Sequence, residues 1–177
     1  MNDSHQQPRL DRVQGADEIE EVAALATEIW NEHFPSIIGQ AQVDYMLRKF
    51  QSADAIHRQI GQQRYEYFLV GRPGSRAGYF AIVPLEEERS MQLSKLYLRR
   101  GARGRGLGGR IVEWLEAQCR SRGLDKLWLT VNKDNPASIG FYESAGFKTE
   151  SASIFDIGDG FIMDDYVMAK PIVVDEP

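Results

Sequence analysis

Leu96-Tyr97-Leu98-Arg99-Arg100-Gly101-Ala102-Arg103-Gly104-Arg105-Gly106-Leu107-Gly108-Gly109-Arg110 lies at the centre of the stretch Gln92 to Gly123, and its reading decides the rest of the chain. An apolar alternation ends near Leu98 and a glycine-rich, basic turn follows. Leu107, Ile111, Leu115 and Cys119 then recur at steps of four, the spacing of a helix face. Strand, loop and helix start in that order make an anion site. Closely spaced glycines let backbone N–H groups approach a ligand without Cβ interference, and the first helical turn adds unpaired N–H groups and the positive end of the macrodipole. A phosphate is the natural guest, and a glycine-rich helix start without a ligand is the plain alternative.

Spacing separates the phosphate loops that share this look. A Walker A loop requires Lys-Ser/Thr after its last glycine, and here Gly106 is followed by Leu107-Gly108. Gly104-x-Gly106-x-x-Gly109 matches the dinucleotide fingerprint, but the next acid at a strand end is Asp134, too late, with too little chain after it. Arg103-x-x-Gly106-x-Gly108 resembles the Gln/Arg-x-x-Gly-x-Gly/Ala pattern of the GCN5-related N-acetyltransferases, whose loop holds the pyrophosphate of acetyl-coenzyme A.

Working outward, 177 residues fall within the range of one domain and suffice for a sizeable core without disulfide or metal. With 42% hydrophobic and 27% charged residues the composition is that of a soluble globular protein. A net charge of −5 speaks against nucleic acid as a partner, although Arg99, Arg100, Arg103, Arg105 and Arg110 form a local basic cluster that reads as a phosphate collar or as a solvated loop. The single Cys119 falls on an apolar stripe, so neither a disulfide framework nor a metal box is expected and a reducing, cytoplasmic setting is. The polar start Met1 to Gln7 reads as a frayed end, and no stretch is long and apolar enough to span a bilayer.

Arg9 to Gln14 reads as a first strand. Asp17 is expected to cap an amphipathic helix carrying Ile19, Val22, Leu25, Ala26, Ile29 and Trp30, which Phe34-Pro35 breaks. Trp30, Glu32 and His33 stand at that break, where an acceptor could be met. Helical pieces follow from Gln40 and from Ala53 to Gln62. From Tyr65 the period becomes two: strands Tyr65–Val70, Gly78–Val83 and Arg89–Leu98 are joined by Gly71-Arg72-Pro73-Gly74 and Glu86-Glu87-Glu88, an antiparallel meander that a doubly wound fold would not contain. Lys126 to Val131 is a strand parallel to the one ending at Leu98, since a helix crosses between them. Asn135 then caps a helix with Pro136 at its first position, Gly146 stops it, and two strands close the chain around Gly158-Asp159-Gly160.

Asn135-x-x-Ser138-x-x-Phe141-Tyr142-x-x-x-Gly146-Phe147 resembles the second signature of the same acetyltransferases, at the expected distance after the first. The stretches Trp30–Phe50, Ser153–Asp159 and Asp164–Lys170 are similar to PaiA-type polyamine acetyltransferases. The resemblance implies an α/β (α+β) fold with a mixed sheet of about seven strands, mostly antiparallel with a splayed parallel pair, flanked by about four helices. It fills residues 9–172 as a single domain between tails at 1–8 and 173–177, and it implies a homodimer. The backbone of Leu96, Tyr97 and Leu98 would pair with the pantetheine arm, with the Leu98 N–H on the thioester oxygen, where such a donor contributes about 3 kcal/mol. Arg103, Gly104, Arg105, Gly106, Leu107, Gly108 and Gly109 would hold the pyrophosphate and Asn135 would stand near the pantetheine. Tyr142 would protonate the departing thiolate, or be an ordinary core tyrosine. No metal is involved.

The acceptor is expected to be an amine, of which only on the order of 0.1% is neutral at pH 7, equivalent to roughly 4 kcal/mol of barrier. Relatives that acetylate protein N-termini carry a glutamate on the strand before the asparagine loop. Here Thr130 occupies it, which disfavours that subclass and leaves the base unassigned, with a water chain to a surface carboxylate as the hypothesis. The expectation is direct acetyl transfer from acetyl-CoA to a small amine or polyamine, which Asp156, Asp159, Asp164 and Asp165 would attract. A protein terminus or lysine as acceptor, and a binding module without turnover, are the alternatives.

Overall fold

Two- and four-residue connections allow only antiparallel neighbours, whereas a strand that returns through a helix comes back parallel. The computed structural model, which describes residues 8–173, follows both rules. Its seven strands are β1 (Leu10–Arg12), β2 (Glu66–Arg72), β3 (Ser75–Leu85), β4 (Ser90–Leu98), β5 (Lys126–Asn132), β6 (Lys148–Gly158) and β7 (Phe161–Pro171). They form one sheet of order β1-β2-β3-β4-β5-β7-β6, antiparallel everywhere except between β4 and β5. The expected mixed seven-stranded sheet with one parallel pair is therefore present.

The helices are α1 (Ala16–His33), α2 (Pro35–Ile38), α3 (Gln40–Phe50), α4 (Ala53–Gln62), α5 (Leu107–Ser121) and α6 (Pro136–Ser144). Six stand where about four were expected, because Pro35, Gly39 and the capping hydroxyl of Ser52 divide one layer into short pieces. Asp17 does not cap α1. Gly15 holds that position, and the Glu18 carboxylate accepts from Gln14 N at 2.6 Å and Gly15 N at 3.1 Å, leaving Asp17 within the first turn. The expected turn at Gly71–Gly74 tightens to Pro73-Gly74, since β2 continues to Arg72. Of the expected tails, residues 1–7 and 174–177 lie outside the described residues.

The sheet carries a core on each face. On one, α5 and α6 bury Ile111, Leu115, Cys119 and Tyr142 against Phe80, Met91, Leu93 and Leu129. On the other, α1, α3 and α4 bury Val22, Ile29, Val43 and Ile56 against Tyr67, Leu69 and Tyr79. Each such side chain contributes about 1.5–3 kcal/mol on leaving water, so both layers are held firmly to the strands. No described helix is long and apolar enough to cross a membrane.

One irregularity positions everything that follows. Ala81 pairs with Lys95 but Ile82 pairs with Leu93, so Ser94 is an extra residue in β4. Such a bulge bends its strand and inverts the alternation beyond it. Met91 and Leu93 face α5, and after the bulge Leu96 and Leu98 do, while Lys95 and Tyr97 turn to the opposite layer. β4 and β5 pair only over Ser90–Gln92 and Lys126–Trp128. Beyond that point β5 continues in register with β7, and the two parallel strands part.

Candidate active site

Parting the strands leaves a slot through the sheet, and register determines which backbone groups face it. Arg99 N donates to Ala77 O at 2.8 Å, which makes residues 99 and 77 a hydrogen-bonded antiparallel pair, and 97 and 79 the next one. Residues between such pairs point their N–H and C=O away from the partner. Leu96 and Leu98 therefore turn theirs from β3 toward β5, into the slot. A cavity of about 500 Å³ occupies it, reaching from the α5 start to α1 and α3 on the far face. Of the twelve residues expected from the sequence at the site, all except the exposed Arg105 line it.

At one end lies the glycine loop. Gly104 and Gly106 adopt φ of 72° and 74°, the left-handed region that L side chains avoid. A Cβ at either would meet nothing within 4 Å, so conformation and not space requires glycine there. Gly106 is the N-cap of α5 and brings no capping side chain, so the N–H groups of Leu107, Gly108 and Gly109 have no intrahelical acceptor. Gly108 is needed for another reason: a Cβ would come within 2.9 Å of the Phe141 ring, which lies across the α5 start. These free donors, a dipole end and open space fit a diphosphate.

The basic collar is smaller than expected. Arg99 is committed elsewhere, its Nε and Nη2 donating to the Glu28 carboxylate at 2.8 and 2.6 Å and its Nη1 to Arg76 O at 2.8 Å, which ties β4 to α1. Arg103 folds back, donating from Nε to Leu98 O at 2.8 Å and standing 3.4 Å from His33 Nδ1. Arg110 Nε is buried without a hydrogen-bond partner, a donor in want of an acceptor.

Between β5 and α6, Asn135 caps the helix as expected, its Oδ1 accepting from Ser138 N at 3.3 Å with Pro136 behind it. The helix then sends Tyr142 inward, 8% exposed, with its ring edge-on to Phe147 at 5.6 Å. Burial pushes the Tyr142 phenol above its usual range, so it remains an O–H at physiological pH.

On the far face the cavity is aromatic and apolar. Trp30 lies tilted against Phe34 at 4.4 Å, Tyr97 meets both at 5.3 and 5.9 Å, and Met46 and Met163 complete the wall. Trp30 and His33 line it, as the α1 break suggested, and Glu32 does not. Burial first, then the Arg103 guanidinium, hold His33 below its ordinary value, against the opposing pull of Asn135. Of the four aspartates expected to attract a polycation only Asp165 lines the cavity; Asp164 pairs with Lys133, and Asp156 Oδ1 accepts from Gly158 N within a turn. Burial pushes the Asp165 carboxyl up to about 6, with the Thr130 side chain opposing.

Two buried ionisable groups had no motif to announce them. Asp165 shares the inward alternation of β7 with Met163, a signal visible in the sequence. Lys95 had none, because only the bulge turns it inward. Its Nζ donates to Phe50 O at 3.2 Å, to Gln59 Oε1 at 2.8 Å and to the Tyr67 hydroxyl, and burial lowers it to about 7. Among the described residues no cluster of His, Cys, Asp and Glu is arranged to hold a metal.

A profile of the acetyltransferase (GNAT) family matches residues 23–147. An uncharacterized N-acetyltransferase of Mycobacterium tuberculosis is 31% identical over 105 residues, 59% of this chain and 67% of the relative. The alanine N-acetyltransferase of ribosomal protein bS18 from Salmonella typhimurium is 39% identical over 70 residues, 38% of this chain and 47% of its own. Among solved structures, a PaiA N-acetyltransferase from Thermoplasma acidophilum in complex with coenzyme A superposes with a TM-score of 0.72 at 17% identity, over 92% of this chain and 99% of that one. The last likeness concerns the fold alone.

Proposed function

The chain belongs to the acetyltransferase (GNAT) family, and from that premise we propose that it moves the acetyl group of acetyl-CoA directly onto a small primary amine or polyamine held on the α1–α3 side of the sheet. The observation that carries this reading is a single cavity lined by the Gly104–Gly109 donors, the freed strand edge of Leu96 and Leu98, and Tyr142, and open on the far face to an aromatic wall with one carboxylate. A diphosphate on the α5 start would lay the pantetheine arm along β4. The Leu98 N–H is then available to the thioester oxygen as charge gathers on it, and Tyr142 to the sulfur as the C–S bond breaks. With one unpaired carboxylate and an apolar wall, the acceptor side suits an amine on an apolar body better than a long polycation.

A protein N-terminus is the second reading, favoured by the likeness to the bS18 alanine acetyltransferase and disfavoured by Thr130 at the glutamate position. Thiol release from acetyl-CoA separates these readings, measured with spermidine, phenethylamine, aminoglycosides and an alanyl peptide. A small amine should give the highest kcat/KM. Preference for the peptide would overturn the small-amine reading, and no release above hydrolysis with any acceptor would reduce the protein to a binding module.

A further inference from the structure

We infer that Asp165 is the group that takes the proton from the incoming amine, an assignment that rests on the acyl-transfer reading above. Its place in the sheet carries the argument. Asp165 stands opposite Asn132 of β5, on the β7 face that also carries Met163 toward α1 and α3. It is 1% exposed, lines the same cavity as Tyr142, and its Oδ1 accepts no hydrogen bond. A buried carboxylate oxygen without a donor opposes folding unless something else requires it, and such groups in clefts mark sites of proton chemistry.

The neighbours leave the role to Asp165. It is the only carboxylate among the described residues lining the cavity. His33, from α1, has its Nδ1 3.4 Å from the Arg103 guanidinium, and burial and that cation hold it below its ordinary value. Lys95, from β4, also lines the cavity, but its Nζ is engaged by Phe50 O and Gln59 Oε1. The charged and titratable groups that bear on Asp165 are Lys133 from the turn after β5, Asp164 beside it on β7, and Tyr97 from β4, whose own phenol is raised by burial and then by both Tyr142 and Asp165. Lys133 is paired with Asp164, and among the described residues no cation forms a salt bridge with Asp165. Tyr97, Tyr142 and Asp165 all line the one cavity.

The step balances. The amine arrives as an ammonium and the Asp165 carboxylate accepts one N–H proton. The freed lone pair forms the C–N bond at the thioester carbon; the C–S bond breaks, and sulfur leaves with that electron pair and takes the Tyr142 proton. The second nitrogen proton restores Tyr142 and Asp165 passes its own to water, so the products are amide, thiol and one proton.

The test compares wild type with Asp165→Asn, Asp165→Glu and His33→Gln, using the most active amine of the panel above, from pH 5 to 9. Wild type should lose kcat/KM below about pH 6. Asp165→Asn should fall at least 100-fold at pH 7, lose that acidic limb and climb steadily with pH as free amine accumulates, with the KM for acetyl-CoA unchanged. Asp165→Glu should restore part of the rate, and Asp165→Asn should melt about 6 °C higher at pH 8, where the buried charge is gone. Wild-type rates in Asp165→Asn would overturn the assignment, as would an equal loss at every pH with a lower melting temperature, or an acidic limb that persists in Asp165→Asn and vanishes in His33→Gln. A wild type that binds acetyl-CoA yet acetylates nothing overturns the acyl-transfer reading instead, a distinguishable result.

Discussion

Replacing Lys95 by methionine should abolish a rise of stability with pH that the folded protein owes to this one side chain. Lys95 is 6% exposed and has no carboxylate partner among the described residues; burial lowers it to about 7 from 10.5. The unfolded chain therefore holds a proton that the folded chain has released, between pH 7 and about 10. Stability rises with pH wherever the unfolded state binds more protons, by about 1.4 kcal/mol per pH unit for one group. Integrated from pH 6.5 to 8.5 with half-titration near 7, the gain is about 2 kcal/mol. Methionine keeps the volume and removes the charge. Phe50 O retains Gln59 Nε2 as donor at 3.1 Å, and Tyr67 still donates to Gln59 Oε1, so no acceptor is orphaned. Cys119, raised to about 11 by burial, works in the opposite sense above pH 9 and sets the upper limit of the window. The assay is urea unfolding at pH 6.5 and 8.5 at one ionic strength. Wild type should gain about 2 kcal/mol across that interval and Lys95→Met should lack that gain. Parallel pH dependences in the two proteins would mean instead that Lys95 keeps its proton when folded.

Tyr142→Phe should lower kcat about 100-fold or more while leaving the Kd for coenzyme A within twofold, since the ring keeps its packing and only the acid is lost; equal turnover would remove the acid role. Gly106→Ala forces a side chain into φ of 74°, a strain of about 1–2 kcal/mol, and should weaken coenzyme A about tenfold by calorimetry as the loop relaxes; unchanged affinity would show that the loop geometry does not matter. Asp165, raised to about 6 from 3.8, contributes stability that is complete below pH 3.8 and lost as pH rises through 6. Asp165→Asn should therefore match wild type near pH 4 and exceed it by roughly 2 kcal/mol above pH 6.5, after discounting for water in the cavity. A constant offset at both pH values would contradict that linkage.

Elements that announce themselves locally were legible in the sequence. The boundaries of α4 and the start of α3 fell where read, since Gly39, Gln51-Ser52 and the apolar stripes coincide there. The parallel pairing of β4 and β5 followed from the intervening α5, and Asn135 with Pro136 marked α6. What depends on tertiary contact was not legible. The bulge at Ser94 adds one residue to an apolar alternation and leaves no compositional trace, yet it turns Lys95 inward and opens the slot. Arg99 looked like one more phosphate ligand because Glu28, its partner, is 71 residues away. In the sequence Asp165 groups with three neighbouring acids as an attractor for a polyamine, and its alternation with Met163 becomes meaningful only once α1 and α3 cover that face. The glycine spacing showed what kind of ligand the loop suits, but not which arginines remain free to meet it.

We propose that main-chain donors from Gly104 to Gly109 grip the diphosphate of coenzyme A and so lay its thiol arm in the slot between β4 and β5. Calorimetric titration with coenzyme A and, separately, with pantetheine isolates the diphosphate's contribution. Coenzyme A should bind with micromolar affinity and raise the melting temperature, whereas pantetheine, which lacks the diphosphate, should bind at least 100-fold more weakly. Equal affinity for the two, or no heat and no thermal shift with coenzyme A, would contradict the account.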